Sequence, residues 1–301
     1  MDIRPHTTKK HRAIGYYLKI VRDVVNSPTS HFKELYYIDL FCGDGECVVE
    51  ATGKSYPPPV IESILKPASV GKICVHCFLN DLDSAKFAKM VNNTAPYSKF
   101  IDSYTQEDAN ACYSAILKKV PQNQFSIFVL DPTNHKDLKW STIEGISRHQ
   151  HTYYGGQVRR PEMILTLMTY SMLNHYRSKK YETISESLGT EAWLDEIEKN
   201  RKLKIEPPVE TAFLNIFKSQ LTGLGYEIPA VLPIESIDTG TTVYYLVWAS
   251  NKSGSKLMQK RLVPYLNKLM KVAQKETEVE IKIAQAKKDG IPPLDKWMQA
   301  V

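Results

Sequence analysis

The sequence predicts an α/β fold, a mostly parallel sheet with helices on both faces, and three observations predict it. Short apolar runs rich in aromatic and β-branched residues alternate with stretches of helical periodicity through residues 1–170. The first of these runs passes into Asp39-Leu40-Phe41-Cys42-Gly43-Asp44-Gly45-Glu46, the order of a buried strand entering a tight turn. Later runs also close on acids, at Asn80-Asp81, Glu107-Asp108 and Asp131-Pro132. In open α/β sheets the carboxyl ends of the strands are where ligands bind.

Each element has its own signal. Thr7 to Val25 reads as an amphipathic helix, because Ile14, Tyr17, Leu18, Val21 and Val25 recur at steps of three and four; Asn26-Ser27-Pro28 ends it. Leu35 to Leu40 is the first strand. Val60 to Leu65 is a short helix after the rigid Pro57-Pro58-Pro59 run. Lys72 to Leu79 is a second strand and Ser84 to Val91 a helix. Phe100 to Thr105 is a third strand and Ala109 to Val120 a helix. Phe125 to Leu130 is a fourth strand, Trp140 to Ser147 a helix, and Met163 to Tyr170 a fifth strand. Tyr181 to about Asn200 is one charged helical stretch, broken at Pro207-Pro208, and Val209 to Leu224 is an amphipathic helix closed by Gly225-Tyr226. Ile228 to Ile234 and Val243 to Ala249 are strands joined by a hairpin-type turn at Asp238-Thr239-Gly240. A charged helical tail starts at Lys256. The expected organisation is an α/β domain over residues 1–262, with a helical insertion at about 178–225, and a helical C-terminal extension over 263–301.

Composition bounds the function class. A hydrophobic fraction of 43% with 24% charged residues describes a soluble globular chain. The most apolar segment, Met163 to Leu173, is too short to cross a bilayer and reads as a buried strand, so no membrane partner is expected. No signal peptide is visible at the N-terminus. Five cysteines are an odd number, too few for a disulfide framework, and indicate a reducing, cytoplasmic setting. Cys74 and Cys77 have metal-ligand spacing, but in a strand they point to opposite faces. They read as buried inert thiols, and no metal is expected. A net charge of +6 permits an anionic partner such as nucleic acid without requiring one.

The glycine turn discriminates among nucleotide sites. A dinucleotide fingerprint needs a third glycine where Val48 stands. A P-loop ending in Gly53-Lys54-Ser55 would need a first glycine at that same Val48, and a proline run follows instead of a helix. The turn matches best the first motif of S-adenosylmethionine-dependent methyltransferases. With the later motifs assembled, the chain resembles the three-Cys-motif partner (TcmP) family. The matching residues are Thr7-x-x-Lys10 leading to Tyr17-Leu18, Tyr37-Ile38-Asp39-x-Phe41-x-Gly43-x-Gly45, Asn80-Asp81, and Asp131-Pro132 ahead of Trp140. Leu188-Gly189-Thr190 before Trp193, Tyr244-Tyr245-Leu246-Val247, Lys252-x-Gly254 and Met258 complete the set. The resemblance implies a Rossmann-like class I methyltransferase sheet with an antiparallel last strand. It also implies S-adenosylmethionine as cofactor, and a three-Cys-motif protein as partner.

Site roles follow from the chemistry of that cofactor, which carries a cationic sulfonium, an amino acid group, a ribose diol and adenine. Asp39 is placed to accept from the amino group, while Phe41, Gly43 and Gly45 form the turn that packs on the methionine arm. Asp81 is assigned to the ribose hydroxyls, with Asp83 as the fallback, and Asp108 to the adenine amine. Asp is also a common helix N-cap, which is the ordinary alternative for each. Asp131-Pro132-Thr133-Asn134 stands where amino-methyltransferases carry an acid, two prolines and an aromatic residue. Asp131 and Pro132 would orient the methyl acceptor, and His135 would accept a proton. The missing aromatic leaves base stacking to Trp140, Tyr153 or Tyr154. The segment 148–160, with Arg159 and Arg160, mixes cations, imidazoles and aromatics as a lid gripping nucleic acid would, or is a plain connection. The resulting expectation is a methyltransferase acting on nucleic acid or a macromolecular partner. The alternatives are a catalytically degenerate, cofactor-binding module working through a partner protein, and a nucleic-acid-binding protein that keeps the fold without the cofactor.

Overall fold

Strand β1 (Glu34–Asp39) forms the middle of the molecule because its run Glu-Leu-Tyr-Tyr-Ile-Asp buries both faces. The computed structural model describes residues 2–3, 5–44, 47–49, 54–70, 74–153, 156–236 and 239–288. β1 pairs in parallel with β2 (Cys74–Asn80) on one side and β4 (Phe125–Leu130) on the other. β3 (Ile101–Thr105) extends the sheet beyond β2, and β5 (Glu162–Leu167) lies beyond β4. β6 (Glu227–Glu235) and β7 (Thr242–Ser250) complete a seven-stranded sheet of order β3-β2-β1-β4-β5-β7-β6. β7 runs antiparallel to both its neighbours, and β1 to β5 are parallel. This is the class I methyltransferase sheet.

Helices close both faces. α1 (Pro5–Val25), the π-helical turn Ile61–Leu65 running into α2 (Lys66–Val70), and α10 (Lys252–Lys288) cover one face, where Tyr17, Leu18 and Leu262 are buried against Tyr37, Cys77 and Trp248. α3 (Ser84–Thr94) adds Met90 to that core. α4 (Ala109–Leu117), α5 (Trp140–Ser147), α6 (Thr169–Arg177), α7 (Tyr181–Leu188), α8 (Trp193–Lys202) and α9 (Pro208–Gly223) cover the other, around Ile38, Phe128 and Leu165.

Three expectations change. The apolar segment starting at Met163 is two elements: β5 stops at Leu167, where its pairing with β7 ends at Tyr245, and α6 begins at Thr169. The charged stretch from Tyr181 is two helices, because Gly189 takes φ +71° and terminates α7. The segment before the proline run, where no strand was expected, builds a small sheet in which Cys47–Val49 pairs with Asp2–Ile3 and Lys54–Tyr56. The turn assigned to Asp238 lies partly outside the described residues; Gly240 within it takes φ +66°. No helix among the described residues is long and apolar enough to cross a membrane.

The strand order reverses direction between β1 and β4. Their carboxyl-end loops therefore diverge and leave a crevice between them, the position at which open α/β sheets bind ligands.

Candidate functional site

Asn80 fixes the rim of that crevice. It is buried at the end of β2, and its Nδ2 donates to the carbonyls of Leu40 (2.9 Å) and Glu107 (3.0 Å). Its Oδ1 accepts from Thr105 Oγ1 (2.9 Å) and the Glu107 amide (3.2 Å). One side chain thus ties together the ends of β1, β2 and β3. The Cys42 amide adds a bond to the Asn80 carbonyl at 2.9 Å.

The glycine turn is then held from two sides. Gly43 has φ +68°, a conformation that disfavours any side chain, and the direction its Cβ would take is open space. Its amide donates to Asp81 Oδ2 at 2.8 Å, while Asp81 Oδ1 accepts from the Asp83 amide at 2.9 Å. Each carboxylate oxygen of Asp81 keeps a further lone pair. Asp83 is exposed and caps α3, accepting from the amides of Ala85 and Lys86. Asp108 caps α4 through the Asn110 amide at 2.7 Å and still lines the crevice.

Asp39 is buried at the end of β1. The residue is 9% exposed, and its carboxylate accepts from the Tyr37 hydroxyl (2.9 Å) and the Phe41 amide (3.1 Å), both neutral donors. Burial pushes its pKa up to about 7; the two hydrogen bonds offset this in part, and the charges of Asp131 and Asp81 add to it.

Asp131 follows β4 and has the opposite electrostatics. Lys10 from α1 reaches it at 2.6 Å, and Thr166 Oγ1 donates to its other oxygen at 2.6 Å. Burial would raise this carboxyl, but Lys10, Thr166 and His11 outweigh it and hold it below the usual carboxylate value. Beside them, His11 is pushed down to about 4, by burial first and by Lys10 second, so its imidazole is neutral at neutral pH. Tyr244 places its ring 5.4 Å from the Lys10 ammonium.

Together these residues enclose a cavity of about 670 Å³, lined by Asp39, Phe41, Gly43, Asp81, Asp108, Asp131 and Pro132 among the expected site residues. Among its described lining residues are eight carboxylates (Asp39, 44, 81, 83, 108, 131 and 137, and Glu107) but only three lysines, Lys10, Lys86 and Lys136. Such a wall attracts cations and repels phosphates.

The remaining expected site residues are elsewhere. Gly45 and Tyr154 lie outside the described residues. His135 does not face the cavity. It is 3% exposed, with Nδ1 2.8 Å from Ser171 Oγ and Nε2 3.3 Å from Thr183 Oγ1, so both ring nitrogens are engaged between the β4 loop, α6 and α7. Burial lowers it to about 4. The short 3₁₀ turn His135–Asp137, capped by Asn134, turns it inward. Trp140 is a core residue, edge-on to Phe217 at 5.9 Å. Tyr153, Arg159 and Arg160 are at the opposite edge of the sheet. The connection from α5 to β5 necessarily runs to the amino end of a parallel strand, so segment 148–160 does not overhang the cavity. Tyr153 donates to the Asn123 carbonyl, Arg159 stacks 4.0 Å over Phe32, and Arg160 lies against Gly225. In their place the structure brings Lys10, His11, Thr166 and Tyr244 to the cavity. Lys10 and Tyr244 carried a sequence signal, as parts of Thr7-x-x-Lys10 and Tyr244-Tyr245-Leu246-Val247; His11 and Thr166 carried none.

No family model matches the chain, and no curated protein matches it significantly. Solved structures do. One is the DszA carbon methyltransferase, 13% identical over 77% of this chain and 51% of that one, with a TM-score of 0.39. Another is protein LPL1258 from Legionella pneumophila, 12% identical over 85% of this chain and 92% of that one, TM-score 0.45. A third is the citrinin polyketide synthase CMeT domain, 13% identical over 72% of this chain and 46% of that one, TM-score 0.35. The chain spans about half the length of the first and third of these. Likenesses of this size transfer no activity or ligand to this chain; the strand order and register carry the fold.

Proposed function

We propose that this chain binds S-adenosylmethionine in the crevice between β1 and β4 and transfers its methyl group to nucleic acid or to a macromolecular partner. The observation that supports it most is Asp39. A carboxylate buried under a glycine turn, bonded to neutral donors and raised to about 7, is stabilised by an incoming cation. The acidic wall argues the same way, since it disfavours the pyrophosphate of a dinucleotide. A cavity of about 670 Å³ is of the size that holds a nucleoside-sized ligand.

The cofactor, when bound, supplies an electrophilic methyl on a sulfonium. The protein supplies position and charge. Asp39 accepts from an ammonium, the Gly43 turn allows close approach, Asp81 offers two lone pairs to a vicinal diol, and Asp108 accepts from an exocyclic amine. Displacement is in line, so holding donor and acceptor in register contributes much of the rate. Asp131 and Pro132 form the acceptor side. Membership of the three-Cys-motif partner family, a three-Cys-motif protein as partner and a cytoplasmic setting belong to this proposal and are supported by the sequence motifs and cysteine usage given above.

Two observations favour a second reading, a cofactor-binding module that does not transfer. Asp131 is already ion-paired to Lys10 at 2.6 Å, and Asn134, where an aromatic would stack, is used as a helix cap. Calorimetry with S-adenosylmethionine and its demethylated product tests the shared part: binding is expected, lost in Asp39→Ala and weakened roughly 10- to 100-fold in Asp81→Ala. No binding by the wild type rejects both readings. Tritiated methyl transfer to DNA, RNA and lysate protein, with Asp131→Ala as control, separates them; a chain that binds but transfers nothing supports the second.

A further inference from the structure

The amino edge of the sheet carries a second constellation, far from the crevice in the fold. β1 and β2 pair so that Glu34 sits beside Cys74 and Tyr36 beside His76. Residues two apart on a strand share a face, so Glu34, Cys74 and His76 converge on one side. Cys74 Sγ is 3.4 Å from His76 Nε2, and that nitrogen is 3.9 Å from Glu34 Oε1; the three ligand atoms lie within 4.8 Å of one another. Around a tetrahedral zinc with bonds of about 2.0–2.3 Å, ligand atoms stand about 3.3–3.7 Å apart. The triad is within a small side-chain adjustment of that.

The surroundings orient each ligand. His76 Nδ1 is 3.0 Å from Asp102 Oδ1, which turns Nε2 toward Cys74 Sγ, the carboxylate–histidine arrangement of metal sites. Asp102 is positioned by a ladder irregularity: Cys77 pairs with Ile101 but Phe78 with Ser103. The Tyr36 hydroxyl donates to Glu34 Oε2 at 2.7 Å, so Oε1 is left to coordinate. The Tyr36 ring stacks on His76 at 4.5 Å and 10°. Cys74 is exposed, while Cys77, its partner in the spacing read from sequence, is fully buried on the other face. The reading of Cys74 as a buried thiol changes with this, because its place at the exposed start of β2 leaves it open to solvent.

We infer that Glu34, Cys74 and His76 form a site for a zinc-class divalent ion, with Asp102 orienting the histidine and a fourth position open to solvent. Thiolate, imidazole and carboxylate together suit a borderline-soft ion rather than magnesium or calcium. On binding, Cys74 gives up its proton to solvent and coordinates as thiolate. The ion would clip β1 to β2 at their starts. The inference is independent of the crevice and of any cofactor bound there.

The test is titration of the full-length, reduced, chelator-treated chain with cobalt(II), followed by displacement with zinc. One equivalent is expected to give a thiolate-to-cobalt charge-transfer band that zinc abolishes. Cys74→Ser should remove the band, His76→Gln should weaken binding at least tenfold, and Asp102→Asn should weaken it roughly 10- to 100-fold. Far-UV circular dichroism of the metal-free variants should match the wild type. A wild-type chain that gives no band, or a band that survives Cys74→Ser, overturns the assignment.

Discussion

Asp39 and Asp131 both follow apolar strand runs, and their surroundings separate them. Asp39 is raised to about 7 from 3.8, so its ionised form costs stability. That cost is absent below the unfolded value, grows as pH rises and is complete above about 7. Asp39→Asn should therefore stabilise the free protein, and its advantage should grow by ~2 kcal/mol between pH 5 and pH 8, read from urea midpoints at the two pH values. The same substitution should abolish cofactor binding. In the wild type, affinity for S-adenosylmethionine should fall by up to ~10-fold per pH unit below 7, as the carboxyl takes up its proton; a calorimetric series from pH 8 to 5.5 that stays flat would remove Asp39 from the site. Asp131 runs the other way. Its carboxyl is held low by Lys10 and Thr166, so its contribution is present at neutral pH and fades as acid protonates it. Lys10→Met leaves that charge buried without its partner and should cost about 3 kcal/mol or more at pH 7, and markedly less near pH 4. The acids were legible as strand-end residues; Lys10, 121 positions from Asp131, was not legible as its partner.

At the scale of elements, the strands and helices that the sequence announces by periodicity stand close to where they were placed, and β4 and α5 match residue for residue. The misses have local causes. Apolar content alone does not separate the end of β5 from the first turn of α6. Gly189 interrupts a periodicity that otherwise continues into α8. That glycine has two reasons to be there: φ +71°, and a Cβ that would stand 2.2 Å from Trp140 Cδ1. Gly189→Ala should cost about 2–4 kcal/mol, measured by chemical denaturation, with little change in cofactor affinity if Trp140 is a core residue and not a substrate platform. A variant of wild-type stability would show that the α5–α7 contact is not as tight as described.

Over the whole molecule, edge polarity decides which motifs share a site. Every loop that follows a parallel strand gathers at one edge, and every loop that precedes one gathers at the other. Arg159 and Arg160 belong to the second group. Replacing both by Ala should leave S-adenosylmethionine affinity within about twofold of wild type, since neither is among the described residues that line the cavity; a tenfold loss in calorimetry would contradict the placement. By itself the sequence determined the β/α alternation, the glycine turn and the acids at the strand ends, because these are written in short-range periodicity and in residues whose backbone or charge is locally special. Only the tertiary structure decided that His135 and Trp140 turn into the core, that Lys10 and His11 from the first helix wall the crevice, and that Glu34, Cys74 and His76 meet at the far edge. Those are consequences of strand order and register, which depend on how distant segments pack and have no signature within any one segment.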